Sequence, residues 1–200
     1  MQEGKFNSLV GKILVASPNL EDKHFERSLV YIFMHDENGA VGAILNHKIG
    51  TISNKVLLKM LGKRASKKLA DLDMPVVFGG PVNTQNIIAL GLTEIEDSLN
   101  NKLESSKTTK KQYITLYSNL KMFIDERNKN AKAEDFILVR GISAWDSNQL
   151  ENEIISNDWF IVQPDLRMIF SQKFENKWKF FIDQLGIGGD KCIVSYSGHA

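Results

Sequence analysis

The adjacent pair His35 and Asp36 is the arrangement in this sequence that most resembles acid–base chemistry. A carboxylate beside an imidazole can orient the ring so that the ring accepts a proton. The alternative is structural, because His35 ends an apolar, strand-like run and Asp36 begins a turn, where Asp commonly bonds its own backbone. Neighbouring strand residues point to opposite faces of a sheet, so Asp36 reaches the ring only if the turn begins there. The pair leaves open a general base at His35 or a plain strand end.

The spacing of the histidines and the single cysteine gives little support to a metal site or to thiol chemistry. The four histidines include no pair four residues apart on a helix, and Cys192 is the only cysteine, so it has no partner thiol. We therefore predict no metal site and no cofactor. We expect Cys192 to be a small strand residue and a free thiol, not a nucleophile. The histidines are His24, His35, His47 and His199.

The Gly79-Gly80 pair, followed by Pro81, has two interpretations. A glycine-rich turn can form a nest of backbone N–H groups that binds an anion. This one lacks the Lys-Ser/Thr ending of a phosphate loop and the later glycine of a dinucleotide fingerprint, and a strand-like run follows it. The pattern favours a close backbone turn.

The segment 145–159 combines a helix signal with two tryptophans. Asp146 followed by Gln149 matches the reciprocal capping pattern, and predicts a helix that opens at Asp146 and runs to about Asn157. Gln149 and Glu153 are four residues apart and therefore share a helix face. Trp145 and Trp159 bracket this helix, either as core residues or as the edge of a binding groove.

A hairpin must position His35. Asn38-Gly39 lies between two apolar runs, and both residues tolerate the positive φ that a two-residue hairpin turn requires. Such a turn would place His35 opposite Gly42, whereas a four-residue loop over 36–39 would shift that register by one residue or more.

The remaining patterns predict a mixed sheet with helices on its flanks, an α+β fold of one domain over residues 1–200. Helices are expected over 54–61, with Gly62 as the stop, near 116–127 and over 174–185. A polar loop is expected over 94–111, and 166–170 reads as extended chain.

Composition limits the partners. The net charge is +1 and only five of the 25 basic residues are arginine, so we expect no direct nucleic-acid binding. No run approaches the roughly 18 apolar residues of a membrane helix. The N-terminus has no signal-peptide pattern, which with the lone cysteine predicts a cytoplasmic protein without membrane association.

Four segments in order resemble the AlgH/YqgE family of bacterial proteins. These are residues 35–46, 77–82, 145–159 and the terminal 197–200. The resemblance implies a bent, bifurcated sheet closing into a pseudo-barrel with flanking helices, in a cytoplasmic protein with no established activity, cofactor or substrate. The family's name comes from an association with regulation of exopolysaccharide genes. Two positions depart from the family pattern: Ile142 replaces a common aromatic, and Lys23 a common proline.

Together these observations predict a non-enzymatic binding or regulatory protein that acts on transcription only indirectly, through an unknown protein or small-molecule partner. The alternative is a hydrolase-like or small-ligand enzyme with His35 as base. The expected binding surface joins the hairpin tip, the glycine turn and the tryptophan segment. Its residues are His35, Asp36, Asn38, Gly79, Gly80, Trp145 and Gln149.

Overall fold

The apolar, strand-like runs of this chain pair into one mixed sheet. The computed structural model describes residues 7–60, 62, 73–96, 110–124, 136–163 and 166–187. The strands within these ranges are β1 (Ile13–Ala16), β2 (Leu29–Asp36), β3 (Gly39–Ile44), β4 (Lys48–Ser53), β5 (Asp73–Phe78), β6 (Val82–Glu96), β7 (Lys110–Tyr117), β8 (Phe136–Asp146) and β9 (Trp159–Val162). The helices are α1 (Asn54–Met60), α2 (120–124), α3 (Gln149–Ile155), α4 (Leu166–Ser171) and α5 (Phe174–Gln184).

The sheet branches at β8. The first part of β8 pairs with β5 in parallel and with β6 antiparallel, and residues 143–146 pair antiparallel with β3. The main path runs β4-β5-β8-β3-β2-β1-β9, and β7 is attached through β6. Among the described residues this path is open, with β4 and β9 at its two ends. The α+β class and the branching agree with expectation, whereas closure into a pseudo-barrel is not confirmed.

Strands β1 and β2 are apolar on both faces because they separate two cores. Successive side chains of a strand point to opposite faces, so alternate residues enter different clusters. Ile13 and Val15 pack in the larger cluster beneath α4 and α5, whereas Leu14 and Ala16 pack in the cluster beside α3. A third cluster lies beneath α1 and α2.

The hairpin forms, but the predicted register is wrong. Its turn residues are Glu37 and Asn38, so that His35 lies opposite Ala40 and Gly42 lies opposite Ile32. The Asp36 carboxylate accepts a hydrogen bond of 2.8 Å from the Asn38 N–H, which draws the turn one residue earlier along the chain. A bulge between Ile32 and Met34 shifts the register once more.

Gly39 has the expected positive φ, +134°, but a contact across the sheet gives a second reason for glycine. A Cβ there would lie 2.1 Å from the Trp145 carbonyl oxygen on β8. Glycine therefore permits both the turn and the close approach of β3 to β8.

Three further sequence predictions need correction. Residues 166–170 form most of helix α4, with Leu166 and Ile169 buried at helical spacing, not a strand. Helix α3 begins at Gln149 because Asn148 is left-handed, with φ of 60°, and Asp146 remains in β8. The prediction of a loop over 94–111 is wrong at both ends, because β6 extends to Glu96 and β7 begins at Lys110. Residues 97–109 lie outside the described residues. Helices α1 and α5 agree with prediction.

Candidate functional site

His35 is a buried residue with both ring nitrogens engaged. Its side chain is only 2% exposed, and its Nδ1 accepts a hydrogen bond of 3.0 Å from the Leu9 backbone N–H. A ring nitrogen that accepts from an N–H carries no hydrogen, so Nε2 carries it and donates to Glu151 Oε1 at 2.7 Å. In this arrangement the lone pair that a general base needs is already occupied by Leu9.

The hairpin tip lies next to the start of α3. Asp36 and Asn38 are exposed and bond to each other through the turn, so the Asp36 carboxylate does not orient the His35 ring. Ser147 Oγ donates a hydrogen bond of 2.7 Å to the Glu37 carbonyl, and Gly39 pairs with Asp146. The expected convergence of the hairpin tip with the tryptophan segment is therefore present.

Gly79 and Gly80 are buried against β8. The Gly79 N–H donates to the Arg140 carbonyl at 2.8 Å, and its own carbonyl accepts from Ser143 Oγ at 2.9 Å. A Cβ at Gly80 would lie 2.4 Å from the Ile142 carbonyl oxygen. The pair is a close backbone turn, and the Gly79 N–H is not directed at an anion.

Glu153 on helix α3 holds both tryptophans of the segment. Its Oε2 accepts hydrogen bonds of 2.8 Å from the indole Nε1 of Trp145 and from that of Trp159. Its Oε1 accepts a third, also 2.8 Å, from the Gln149 side-chain amide. Gln149 Oε1 in turn accepts from the Asp146 N–H at 3.0 Å, which is one half of the predicted capping pattern. A carboxylate with three donors is fixed in one position.

A loop from a distant part of the chain adds a third ring. The Asp22 carboxylate accepts from the His24 N–H at 2.8 Å, and its carbonyl accepts from the Phe25 N–H at 3.0 Å, which folds the loop tightly. The Phe25 ring centroid then lies 5.9 Å from that of Trp145 and 5.6 Å from that of Trp159. The two indoles are 6.0 Å apart and nearly perpendicular. Each ring is within the range of favourable aromatic contact.

A cavity of about 240 Å³ opens among these groups. Its lining contains three acidic residues, Asp22, Glu153 and Asp158, and no Lys, Arg or His. Within the described part of the chain the Asp158 carboxylate makes no hydrogen bond or ion pair. The full lining is Leu20, Asp22, Phe25, Ala144, Trp145, Gln149, Glu153, Asp158 and Trp159. We call this space the tryptophan cavity.

A second and wider cavity, about 410 Å³, lies beside α5. Its lining mixes charges of both signs: Arg27 lies 5.8 Å over the Trp178 ring, and Glu26 and Glu175 face the same space. His47 lines it and contacts the Glu26 carbonyl at 3.1 Å, and burial lowers the pKa of this histidine. Mixed charge gives this cavity no clear preference for one kind of ligand.

Of the predicted surface residues, Trp145 and Gln149 line the tryptophan cavity, and His35 is linked to the same helix through Glu151. Trp145 is 5% and Trp159 3% exposed, so both are core residues that also border the cavity. Sequence reasoning missed Phe25 and the Asp22 loop. Their only signal is a turn-forming Asp, which does not indicate what the turn packs against.

The described residues contain neither a metal-binding cluster nor a membrane-spanning helix. No group of three or more His, Cys, Asp or Glu side chains there is arranged to hold a metal ion. No helix in the same ranges has both the length and the apolar character needed to cross a membrane. Cys192 and His199 lie outside the described residues.

Comparison with known proteins assigns the family. A family model described as AlgH-like matches residues 13–189. The chain belongs to the AlgH-like family. Among relatives, it is 30% identical over 196 residues to a UPF0301 protein of Shewanella woodyi, covering 97% of this chain and 100% of that one. A Coxiella burnetii UPF0301 protein is 28% identical over 196 residues, covering 98% and 99%.

Two solved structures have the same fold. The solution structure of the AlgH protein from Pseudomonas aeruginosa matches with a TM-score of 0.63 at 21% identity, covering all of both chains. A crystal structure of a protein from Corynebacterium diphtheriae matches with a TM-score of 0.60 at 22% identity, covering 90% of this chain and 89% of that one. These likenesses establish the fold, and they leave function to the chemistry of the site.

Proposed function

We propose that this AlgH-like protein is a binding protein, not an enzyme, and that the tryptophan cavity receives its ligand or partner. The observation that carries the proposal is the Glu153 carboxylate, which two indoles and the Gln149 amide fix at the edge of an aromatic cavity. A charged group held in place before binding loses little further freedom when a ligand arrives, which favours affinity.

The environment of His35 supports binding over catalysis. A general base must accept a proton from a substrate, and in His35 the accepting nitrogen is bonded to Leu9 in a nearly closed environment. The enzymatic alternative, a hydrolase-like activity with His35 as base, requires the Leu9 segment to move away first. The structural role needs no such change.

The contacts of α3 support a regulatory role. The same helix carries Glu153 at the cavity and Glu151 at His35, and His35 is bonded to the segment around Leu9. A ligand at the cavity therefore acts on the helix that anchors the hairpin and this early segment. Helix α3 is acidic and does not suit a recognition helix for DNA, so we propose regulation through a partner.

The three tryptophans allow a direct test. In protein labelled with ¹⁵N-tryptophan, the indole signals of Trp145 and Trp159 report the tryptophan cavity. Trp178, whose indole donates to the Ala16 carbonyl at 2.8 Å and which lines the second cavity, is an internal control. We expect size-fractionated bacterial cytosol to shift the first two signals and leave Trp178 unchanged.

A matched pair of variants ties the response to the cavity. Phe25→Leu removes a ring that lines the cavity, whereas Phe33→Leu makes the same change at a half-buried position that packs against the larger core. Loss of the response in the first variant only is the expected result. A response confined to Trp178, or none from any fraction, would contradict the proposal.

A further inference from the structure

We propose that the group bound in the tryptophan cavity is a guanidinium ion, an inference that rests on the binding role proposed above. Four properties of the cavity favour a guanidinium: the charge of its lining, its aromatic rings, its free acceptor positions and its size.

The lining is acidic in a chain that is not. The whole sequence has 25 basic and 24 acidic residues, yet the cavity is lined by Asp22, Glu153 and Asp158 without a single basic residue. Such a site disfavours anions and attracts cations, and partial enclosure strengthens this preference because screening by water is reduced.

The rings of Phe25, Trp145 and Trp159 add a second preference for a cation. Aromatic faces attract cations electrostatically, and Trp does so most strongly. Guanidinium is planar and weakly hydrated, so it also stacks on aromatic rings, whereas an ammonium is compact and strongly hydrated. Trp145 and Trp159 are only 5% and 3% exposed, so the partly exposed Phe25 ring offers the face for stacking, which favours guanidinium among the common organic cations.

The acceptor positions match a group with many donors. Each carboxylate oxygen can accept two hydrogen bonds. Glu153 Oε1 accepts one, from Gln149, and the Asp158 carboxylate accepts none within the described residues. A guanidinium has five N–H donors in a fixed fork, and pairs with carboxylates through two parallel bonds.

The size of the cavity limits the ligand to a small head group. At about 240 Å³ the space falls below the roughly 300 Å³ at which pockets for drug-sized ligands begin. The rest of the ligand must then remain at the mouth. The guanidinium can therefore belong to a free small molecule or to an arginine side chain of a protein partner.

Three probes with one stem separate the effect of charge from the effect of planarity. Butylguanidinium, butylurea and butylammonium have the same stem, but the urea is neutral and the ammonium is not planar. Indole signals of ¹⁵N-labelled Trp145 and Trp159 give the dissociation constants. We expect butylguanidinium to bind about tenfold or more tightly than either other probe. Equal affinity for the urea would overturn a cationic ligand, and equal affinity for the ammonium would overturn guanidinium.

A pair of acidic residues provides the matched variants. Asp158→Asn removes one charge from the lining and is expected to weaken butylguanidinium binding by about fivefold or more. Glu21→Gln removes one charge from the same surface loop as Asp22 but not from the lining, so it should change binding by less than about twofold. Equal effects in the two variants would mean that only long-range charge acts, and would overturn the assigned site.

The source of the group is distinguished by comparing agmatine with a short peptide that has one internal arginine, using a citrulline peptide as the neutral control. Tighter binding of agmatine supports a metabolite, and tighter binding of the arginine peptide supports a protein partner. If cytosolic fractions shift Trp145 and Trp159 but no guanidinium compound does, this inference fails while the binding role stands. If neither shifts them, both fail.

Discussion

Lys177 on α5 provides the sharpest test of the energetics, because it is a fully buried amine without a hydrogen-bond partner among the described residues. The residue is 0% exposed, and its Nζ has no hydrogen-bond partner in the described structure. The Nζ lies 3.9 Å from the centre of the Phe174 ring, which offsets part of the lost hydration. We predict that Lys177→Met, which keeps most of the apolar stem and removes the amine, stabilises the protein at neutral pH.

The magnitude follows from the protonation equilibrium. Burial lowers the pKa of Lys177 from 10.5 to about 8, and each pKa unit corresponds to about 1.4 kcal/mol. The charged amine therefore reduces the free energy of unfolding by about 3 kcal/mol at neutral pH. Methionine of similar length removes this penalty, so a gain of about 2–3 kcal/mol is expected after small packing losses.

The gain must depend on pH in one direction. The unfolded chain binds the Lys177 proton more tightly than the folded chain does, so between pH 8 and 10.5 the unfolded state holds more protons. Stability of the unmodified protein then rises with pH across that window, and below it the full penalty remains. The advantage of Lys177→Met should accordingly be largest below about pH 8 and should shrink toward about pH 10.

Urea unfolding, followed by tryptophan fluorescence at several pH values, measures these differences. The control is Lys179→Met on the same helix. The Lys179 side chain is 74% exposed and pairs with Asp183 at 3.5 Å, so its replacement should lower stability by only about 0.3–0.5 kcal/mol. A destabilised Lys177→Met at neutral pH, or an advantage that does not change with pH, would refute the reasoning.

Three further predictions concern the hairpin and nucleic acid. His35→Ala should lower the free energy of unfolding by about 1–3 kcal/mol because the buried Leu9 N–H loses its acceptor; a loss below about 0.5 kcal/mol in urea titrations would argue against a structural His35. Gly39→Val should lower stability more than Gly42→Val. A Cβ at position 39 would lie 2.1 Å from the Trp145 carbonyl oxygen, whereas a Cβ at position 42 would lie 2.7 Å from its nearest neighbour, a carbonyl oxygen. Thermal melts giving the reverse order would contradict the observed strand packing. DNA binding should be weak and independent of sequence, because the net charge is +1, and a gel shift selective for one promoter at physiological salt would oppose this.

The hairpin shows that sequence patterns can predict strands and a turn but not their register. Two nearly continuous apolar runs and the Asn38-Gly39 pair between them are sufficient to predict two strands joined by a tight turn. The register depends on one hydrogen bond, from the Asn38 N–H to the Asp36 carboxylate, and on the bulge before Met34. Apolar patterning cannot resolve either feature, because both faces of β2 are largely buried and a shift of register changes little in the pattern.

The prediction of extended chain over residues 166–170, which form most of helix α4, is wrong for a related reason. Five mostly apolar residues at 166–170 fit a buried strand and a short helix equally well, since such a run is too short to show its period. Only the packing of Leu166 and Ile169 against the large core favours the helix over the strand.

The candidate site likewise combines features that the sequence predicts with features that arise only through the fold. Gln149 and Glu153 are four residues apart, so their shared helix face could be predicted from spacing, and Trp145 lies just before the same helix. The Asp22 loop and Phe25 come from the opposite end of the sequence and reach the cavity through the fold. Convergence of two indoles on a single oxygen is a tertiary feature, and nothing local in the sequence encodes it.

The position of β8 also determines when the sheet can be completed during synthesis. Strands β3, β5 and β6 all pair with β8, yet all three precede it in the chain. Translation releases residues in order, at about 5–20 per second, so each of the three keeps an open edge until the part of β8 that pairs with it has left the ribosome. Contacts between such distant segments also form slowly. The fold is therefore assembled late and as a unit, and a chain truncated before β8 exposes three strand edges to aggregation.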